Sequence, residues 1–143
     1  MPKVISSVKA LLQHDGCFLV MKEELHKGNV WDLPGGKIQY GESPTEALHR
    51  EVKEELDIEI EIVRSVGVWF FYSQNSKHQV ICHTFLCKPL GKFIIDTSKN
   101  PADEHFTELK WLTAQEILDC NEVVFTDSFR ELLKNFVLNQ SGD

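Results

Sequence analysis

No stretch of this chain approaches the roughly 18 uninterrupted apolar residues of a membrane-spanning helix, so no membrane span is expected. The opening MPKVISSVKALLQHDG lacks a long apolar run with a small-residue cleavage site, so no secretory signal is expected either. There is no run of Lys and Arg, and 22 acidic residues outnumber 15 basic ones, for a net charge of −7. That field repels a long nucleic-acid backbone. It leaves room for small anions where a divalent cation bridges them to acidic side chains. Cys17, Cys82, Cys87 and Cys120 form no C-x-x-C pair and no zinc-finger spacing with histidine. They read as reduced, half-buried thiols of a cytoplasmic protein. Internal repeats and interdomain linkers are missing too. What is present, 143 residues with 42% hydrophobic and 26% charged, fits one globular domain spanning 1–143.

Val4 to Gln13 and Cys17 to Met21 read as a strand pair, with His14-Asp15-Gly16 as the hairpin turn. Lys22 to Asn29 is polar and reads as a mobile loop. Trp31-Asp32-Leu33-Pro34-Gly35-Gly36 reads as a strand end running into a glycine turn. Ser43-Pro44-Thr45-Glu46 is a helix start with an N-cap, a proline in the first turn and a capping box. That helix should run to about Leu56, burying Leu48, Val52 and Leu56. Ile58 to Val63 alternates as a strand, and Val66 to Tyr72 with Gln79 to Cys87 reads as a strand pair. Lys99 to Thr107 reads as a loop, Leu109 to Leu112 as a short strand and Thr113 to Leu118 as a short helix. A last helix from Thr126 to Leu138 carries a stripe of Phe129, Leu132, Leu133, Phe136 and Val137. The expected class is α+β, a mixed β-sheet sandwiched between α-helices.

The chemistry concentrates in Gly36 to Ile58. Glu51, Glu54 and Glu55 stand at i, i+3 and i+4 and share one helix face. Like charges at i,i+4 cost a few tenths of a kcal/mol. Arg50 reaches Glu54 at i+4 but offsets only part of the charge, and Lys53 points elsewhere. Such a ridge suits a hard divalent cation, which takes oxygen ligands and keeps water and phosphate oxygens in its shell. By itself the E-x-x-E-E pattern also fits a solvated acidic helix.

The whole stretch resembles the Nudix box, G-x5-E-x7-R-E-U-x-E-E-x-G-U, where U is bulky and aliphatic. Gly36, Glu42, Arg50, Glu51, Val52, Glu54, Glu55 and Ile58 match it, and Asp57 departs from its second glycine. Asp57 falls where the helix must end in the left-handed region, which Asp tolerates at about 1 kcal/mol. The preceding W-D-L-P-G-G is similar to the family's lead-in. The resemblance implies a Nudix fold and a Mg²⁺-dependent hydrolase, with Mn²⁺ as a substitute. It implies Glu51 and Glu55 as principal metal ligands, Glu54 on a further ion or its water, and the Gly35 carbonyl as a contributor. Gly35 and Gly36 would let the backbone approach a diphosphate. Arg50 would hold the carboxylates, pairing with Glu54 or with Glu42, and Glu42 reads as its structural partner. The general base would be Glu51 or a carboxylate of the loop holding Asp103, Glu104 and Glu108, where the family often places an extra acid, with Glu104 favoured. Metal-activated water would then attack one phosphorus of the diphosphate.

For the organic half of the substrate, the run Trp69-Phe70-Phe71-Tyr72 offers at most two rings to one side of a strand. Trp31 and Tyr72 are candidates for stacking, or else core residues. Thr126 and Asp127 occupy the region where MutT-like members read the base, and helix capping explains them equally well. The six histidines, His49 on the box helix among them, read as surface or half-buried residues. The implied substrate is a small nucleotide: first a nucleoside triphosphate, then ADP-ribose or a nucleotide sugar, then a dinucleoside polyphosphate. Ser73 and Gln74 stand where ADP-ribose enzymes have a proline, and Tyr72 comes too early for the tyrosine of dinucleoside polyphosphate enzymes. A nucleotide-sensing module without catalysis is the competing class, disfavoured because every box carboxylate is kept; an isomerase has no support. Monomer and homodimer both remain open.

Overall fold

The computed structural model describes residues 1–25, 28–73, 77–96, 106–120 and 126–140. Strand β1 (Val4–His14) turns through Asp15 and Gly16 into β2 (Cys17–Leu25). Both turn residues have positive φ, 50° and 76°, as a two-residue hairpin of primed type requires. Of the segment expected to be a polar loop, residues 22–25 and 28–29 are instead strand, and 26–27 lie outside the described residues. β2 continues to Leu25 and pairs antiparallel with β3 (Gly28–Asp32), from Met21↔Asp32 to Leu25↔Gly28. Polar side chains do not prevent this, because the ladder is made by main-chain groups and β2 has a strand on each side.

A short β4 (Gly35–Lys37) lies antiparallel against the start of β1. Helix α1 (Pro44–Leu56) has the expected N-terminus: Ser43 and Glu46 form the capping box and Pro44 opens the first turn. It ends on Asp57 at φ 55°, ψ 40°, whose N–H donates to the Lys53 carbonyl. Strand β5 (Ile60–Tyr72) is one strand where two were expected. Its register against β6 (Gln79–Pro89) shifts between Ile62 and Arg64 and again between Ser65 and Gly67. Such irregularities break the alternation, so a continuous strand reads as two. β7 (Phe106–Leu112) begins three residues before Leu109, taking in Thr107 and Glu108, and pairs with β2. Helices α2 (Ala114–Asp119) and α3 (Asp127–Gln140) follow, α2 with its own capping box on Thr113 and Glu116.

The sheet runs β3-β2-β1-β6-β5, with β4 on β1 and β7 on β2. It is mixed: β1 and β6 are parallel from Val4↔Gln79 to Leu12↔Cys87, and the other pairs are antiparallel. Alternation splits the core into two layers. Val8, Ala10, Leu12, Leu19 and Met21 pack with Ala47, Leu48, Val52 and Leu56 of α1. Leu11, Phe18, Val20 and Trp31 pack with Ile117 of α2 and Phe129, Leu132, Leu133 and Phe136 of α3. The sheet is therefore sandwiched between α1 and the α2–α3 pair. Burying one such large side chain contributes about 1.5–3 kcal/mol. Val137 was expected in the α3 stripe but is 40% exposed. Eight residues of helix rotate it about 80° from Phe129, to the margin of the buried face.

All four cysteines are free thiols. Burial pushes the Cys82 and Cys87 thiols up to about 12, so both stay protonated. Among the described residues no helix is long and apolar enough to cross a membrane.

Candidate active site

The turn from β3 to β4 sets the site. Asp32 Oδ1 accepts the Leu33 N–H at 2.7 Å, and the Pro34 carbonyl accepts from Ala10 at 2.8 Å. Gly35 has φ 144°, and a Cβ there would run into the Val8 carbonyl of β1. The Ser7 hydroxyl donates to the Gly36 carbonyl at 2.9 Å. A Cβ on Gly36 would stand 2.5 Å from the Glu51 carboxylate. The two glycines thus admit β1 and Glu51 to the turn. Glycine is required by backbone packing at 35 and by the seat of the Glu51 carboxylate at 36, reasons that stand apart from the approach of a diphosphate.

Helix α1 turns its acidic ridge toward this turn. Glu55 is 4% exposed, and its Oε1 accepts the Gly35 N–H at 2.7 Å. That bond goes some way to satisfying a buried carboxylate, which is costly to desolvate without donors. Arg50 realises both expected pairings together. Its Nε and Nη2 donate to the two oxygens of Glu42 at 2.7 and 3.0 Å, a bidentate fork. Its Nη1 reaches Glu51 at 3.0 Å and Glu54 at 3.2 Å, and Nη2 also donates to the Lys37 carbonyl at 3.1 Å. The hydrogen bond from Arg50, helped by the Gln39 N–H, holds the Glu42 carboxyl below the usual carboxylate range. Hydrogen bonds to Glu42 and Glu51, with the charges of both, raise the guanidinium beyond its ordinary range, so it stays charged.

Three carboxylates, Glu42, Glu51 and Glu54, therefore meet one guanidinium, and a fourth, Glu55, meets the Gly35 N–H beside them. The donors are hard oxygens, the chemistry a Mg²⁺-like cation takes. Glu51 and Glu54 are turned to Arg50 and Glu55 to Gly35. In that arrangement no three acidic, histidine or cysteine side chains converge on one point among the described residues. The residues fit a divalent cation by type and charge, and Glu51, Glu54 and Glu55 would turn from these partners toward it.

The other candidates lie apart. Trp31 is 5% exposed within the α3-side core, with the Lys22 and Lys110 ammonium groups 5.5 and 5.2 Å from its ring. Trp69 and Phe71 also pack on that side, whereas Phe70 and Tyr72 are exposed, as strand alternation requires. Tyr72 shares a row with Gln79 and Val4, five residues from the Lys9–Gly35 row, or about 17 Å along the sheet. Thr126 Oγ1 donates to the Phe70 carbonyl at 3.0 Å and accepts the Phe129 N–H at 3.4 Å. It thus caps α3 and ties it to β5, and Asp127 stands exposed in the first turn. Glu108, expected in a loop, lies on β7 3.4 Å from Lys110. Asp103 and Glu104 lie outside the described residues. His49 is exposed.

The sequence reading passed over Lys9 and Asp32, which form an ion pair at 2.8 Å with Lys9 buried. The available signal was a charged residue inside the apolar run Val8-Lys9-Ala10-Leu11-Leu12.

A family model described as a NUDIX domain matches residues 3–135. A nucleoside triphosphatase NudI of Enterobacter sp. (strain 638) is 31% identical over 127 residues, covering 78% of this chain and 85% of that protein. A MutT-like protein of Streptomyces ambofaciens is 28% identical over 113 residues, covering 79% of this chain and 66% of that protein. The crystal structure of a MutT protein from Methanosarcina mazei Go1 superposes with a TM-score of 0.79 at 26% identity, over 97% of this chain and 96% of that one. Members of this family generally use divalent metal ions. The chain belongs to the NUDIX family of hydrolases.

Proposed function

We propose that this chain is a Mg²⁺-dependent hydrolase of the diphosphate linkage in a small nucleotide, with a nucleoside triphosphate as the preferred substrate. The observation that carries the reading is the excess of carboxylate around one guanidinium, with Glu51 seated over Gly36 and Glu55 bonded to the Gly35 N–H. The name of the Enterobacter relative, a nucleoside triphosphatase, favours the triphosphate. The family match over residues 3–135 supports one domain spanning 1–143. Free thiols suit a cytoplasmic location.

Glu51 and Glu55 would hold the cation, with Glu54 and the Gly35 carbonyl contributing. Once bound, Mg²⁺ would neutralise phosphoryl oxygens and acidify the attacking water. Arg50 keeps Glu51 and Glu54 on one side of the helix and is itself anchored by Glu42. The Gly35 N–H orients Glu55. Glu104 is the assigned proton acceptor and Glu51 the alternative; the pH–rate profile of Glu104→Gln separates them. The exposed ring of Tyr72 and the carboxylate of Asp127 are the groups available to a base, while Trp31 is largely enclosed.

The test is product release from a panel of nucleoside triphosphates, ADP-ribose and dinucleoside polyphosphates with Mg²⁺, comparing the native chain with Glu55→Gln. The native chain should turn over a triphosphate best. Glu55→Gln should fold normally and lose about a thousandfold in kcat. Tight nucleotide binding without turnover by the native chain would favour a sensor. Activity lost only in proportion to unfolding would remove the assigned role of Glu55.

A further inference from the structure

Lys9 sits in β1 between Val8 and Ala10, both fully buried against α1. Alternation turns Lys9 to the opposite side of the sheet, where it is 5% exposed. Its row neighbours are Gly35 on β4 and Thr84 on β6, neither of them charged. Burial by itself favours the neutral amine. The charge of Asp32, with the hydrogen bond to Asp32 and the charge of Glu55 adding to it, outweighs burial and keeps Lys9 protonated.

Stability alone gives little reason for such a pair. Buried Lys9 loses its hydration and half-buried Asp32 loses part of its own, and replacing such a pair by apolar side chains is often neutral or stabilising. The position of the pair supplies another reason. Asp32 opens the turn that Gly35 closes. One Asp32 oxygen takes the Lys9 ammonium at 2.8 Å and the other takes the Leu33 N–H at 2.7 Å. Pro34 is bonded to Ala10 in the middle of the turn, and the Gly35 N–H meets Glu55 at its end.

We propose that the Lys9–Asp32 ion pair is a positioning device for the acidic ridge, fixing the 32–35 turn on β1 so that Gly35 directs the Glu55 carboxylate. Neither residue touches the reacting atoms. Both act through Gly35, and the proposal rests on the reading of Glu51 and Glu55 as cation ligands.

The test uses the full chain and the double variant Lys9→Met with Asp32→Leu, which removes the pair without leaving a charge unbalanced. Mn²⁺ binding is titrated by electron paramagnetic resonance in the absence of nucleotide. The Gly35 amide resonance, kcat and KM for a nucleoside triphosphate are measured alongside. The double variant should fold and bind Mn²⁺ about tenfold more weakly, with kcat about tenfold lower and KM within about twofold of native. Its Gly35 amide should move upfield as the bond to Glu55 weakens. Asp32→Asn keeps the shape and an acceptor for Leu33, and should move the same readouts by about threefold should the double variant fail to fold. Native Mn²⁺ affinity, kcat and amide shift in the variants that fold would overturn the proposal, whatever their melting temperature. A native chain that neither binds Mn²⁺ nor turns over would instead overturn the functional reading, and this inference with it.

Discussion

Helices α1 and α3 flank the same sheet, yet α3 buries only Phe129, Leu132, Leu133 and Phe136 whereas α1 buries Glu55 among its apolar residues. The rest of the comparison follows from that one carboxylate. On α3, hydrophobic burial serves the fold and the outward face is left to solvent. On α1, the apolar stripe of Ala47, Leu48, Val52 and Leu56 serves the fold, while the adjoining ridge works against it. Glu51, Glu54 and Glu55 repel one another, and the arrangement stands only with Arg50, Glu42 and the Gly35 N–H around it. The lesson is that one layer of this sandwich is built for stability and the other gives some up to gather charge.

Substitutions can sharpen or break that division. Phe129→Ala should cost about 3–5 kcal/mol of stability in urea denaturation. Turnover per folded molecule should stay native; a change there would mean the buried face of α3 does more than cover the sheet. Gly36→Ala should do the reverse. Its Cβ would stand 2.5 Å from the Glu51 carboxylate, the mobile end of a long side chain, so the fold survives while Glu51 is displaced. About a hundredfold loss in kcat, with little change in melting temperature, is the expected result. Asp57→Gly relieves a left-handed residue at the end of α1. It should stabilise the protein by up to about 1 kcal/mol with activity unchanged.

The smallest effect concerns acid. Arg50 holds the Glu42 carboxyl below its ordinary range. The stabilisation from this pair is therefore present above the usual glutamate range and is lost as pH falls through the depressed folded value. Glu42→Gln should flatten the acid limb of a melting-temperature series against pH while leaving the neutral region nearly parallel to native. An unchanged acid limb would show that Glu42 titrates as it does in the unfolded chain.

Helix α1 was legible from end to end because its signals are local. Ser43, Pro44 and Glu46 cap it, Leu48, Val52 and Leu56 mark its buried face, and Asp57 closes it. The same holds for the Asp15–Gly16 turn and for the shared face of Glu51, Glu54 and Glu55. The pairing of β2 with β3 was missed because most of its residues are polar and pairing is a main-chain matter. β5 was read as two strands because its register shifts interrupt the alternation. Val137 was counted with the α3 stripe because its angular position lies at the edge of the rule that finds such stripes. At the site, Arg50 could be matched to Glu54 or Glu42, but only the folded chain shows one guanidinium serving Glu42, Glu51 and Glu54 at once.

The amino-acid order by itself determined the helix boundaries to within two residues, the acidic ridge and the box from Gly36 to Ile58, since each depends on neighbours within a turn or two of backbone. The three-dimensional fold decided what that ridge faces. Gly35 meets Glu55 across 20 residues, Lys9 meets Asp32 across 23 and Ser7 meets Gly36 across 29. No periodicity encodes such meetings; they arise when β1 and β4 pair and α1 settles on the sheet, bringing charges and backbone donors from separate segments into one buried corner.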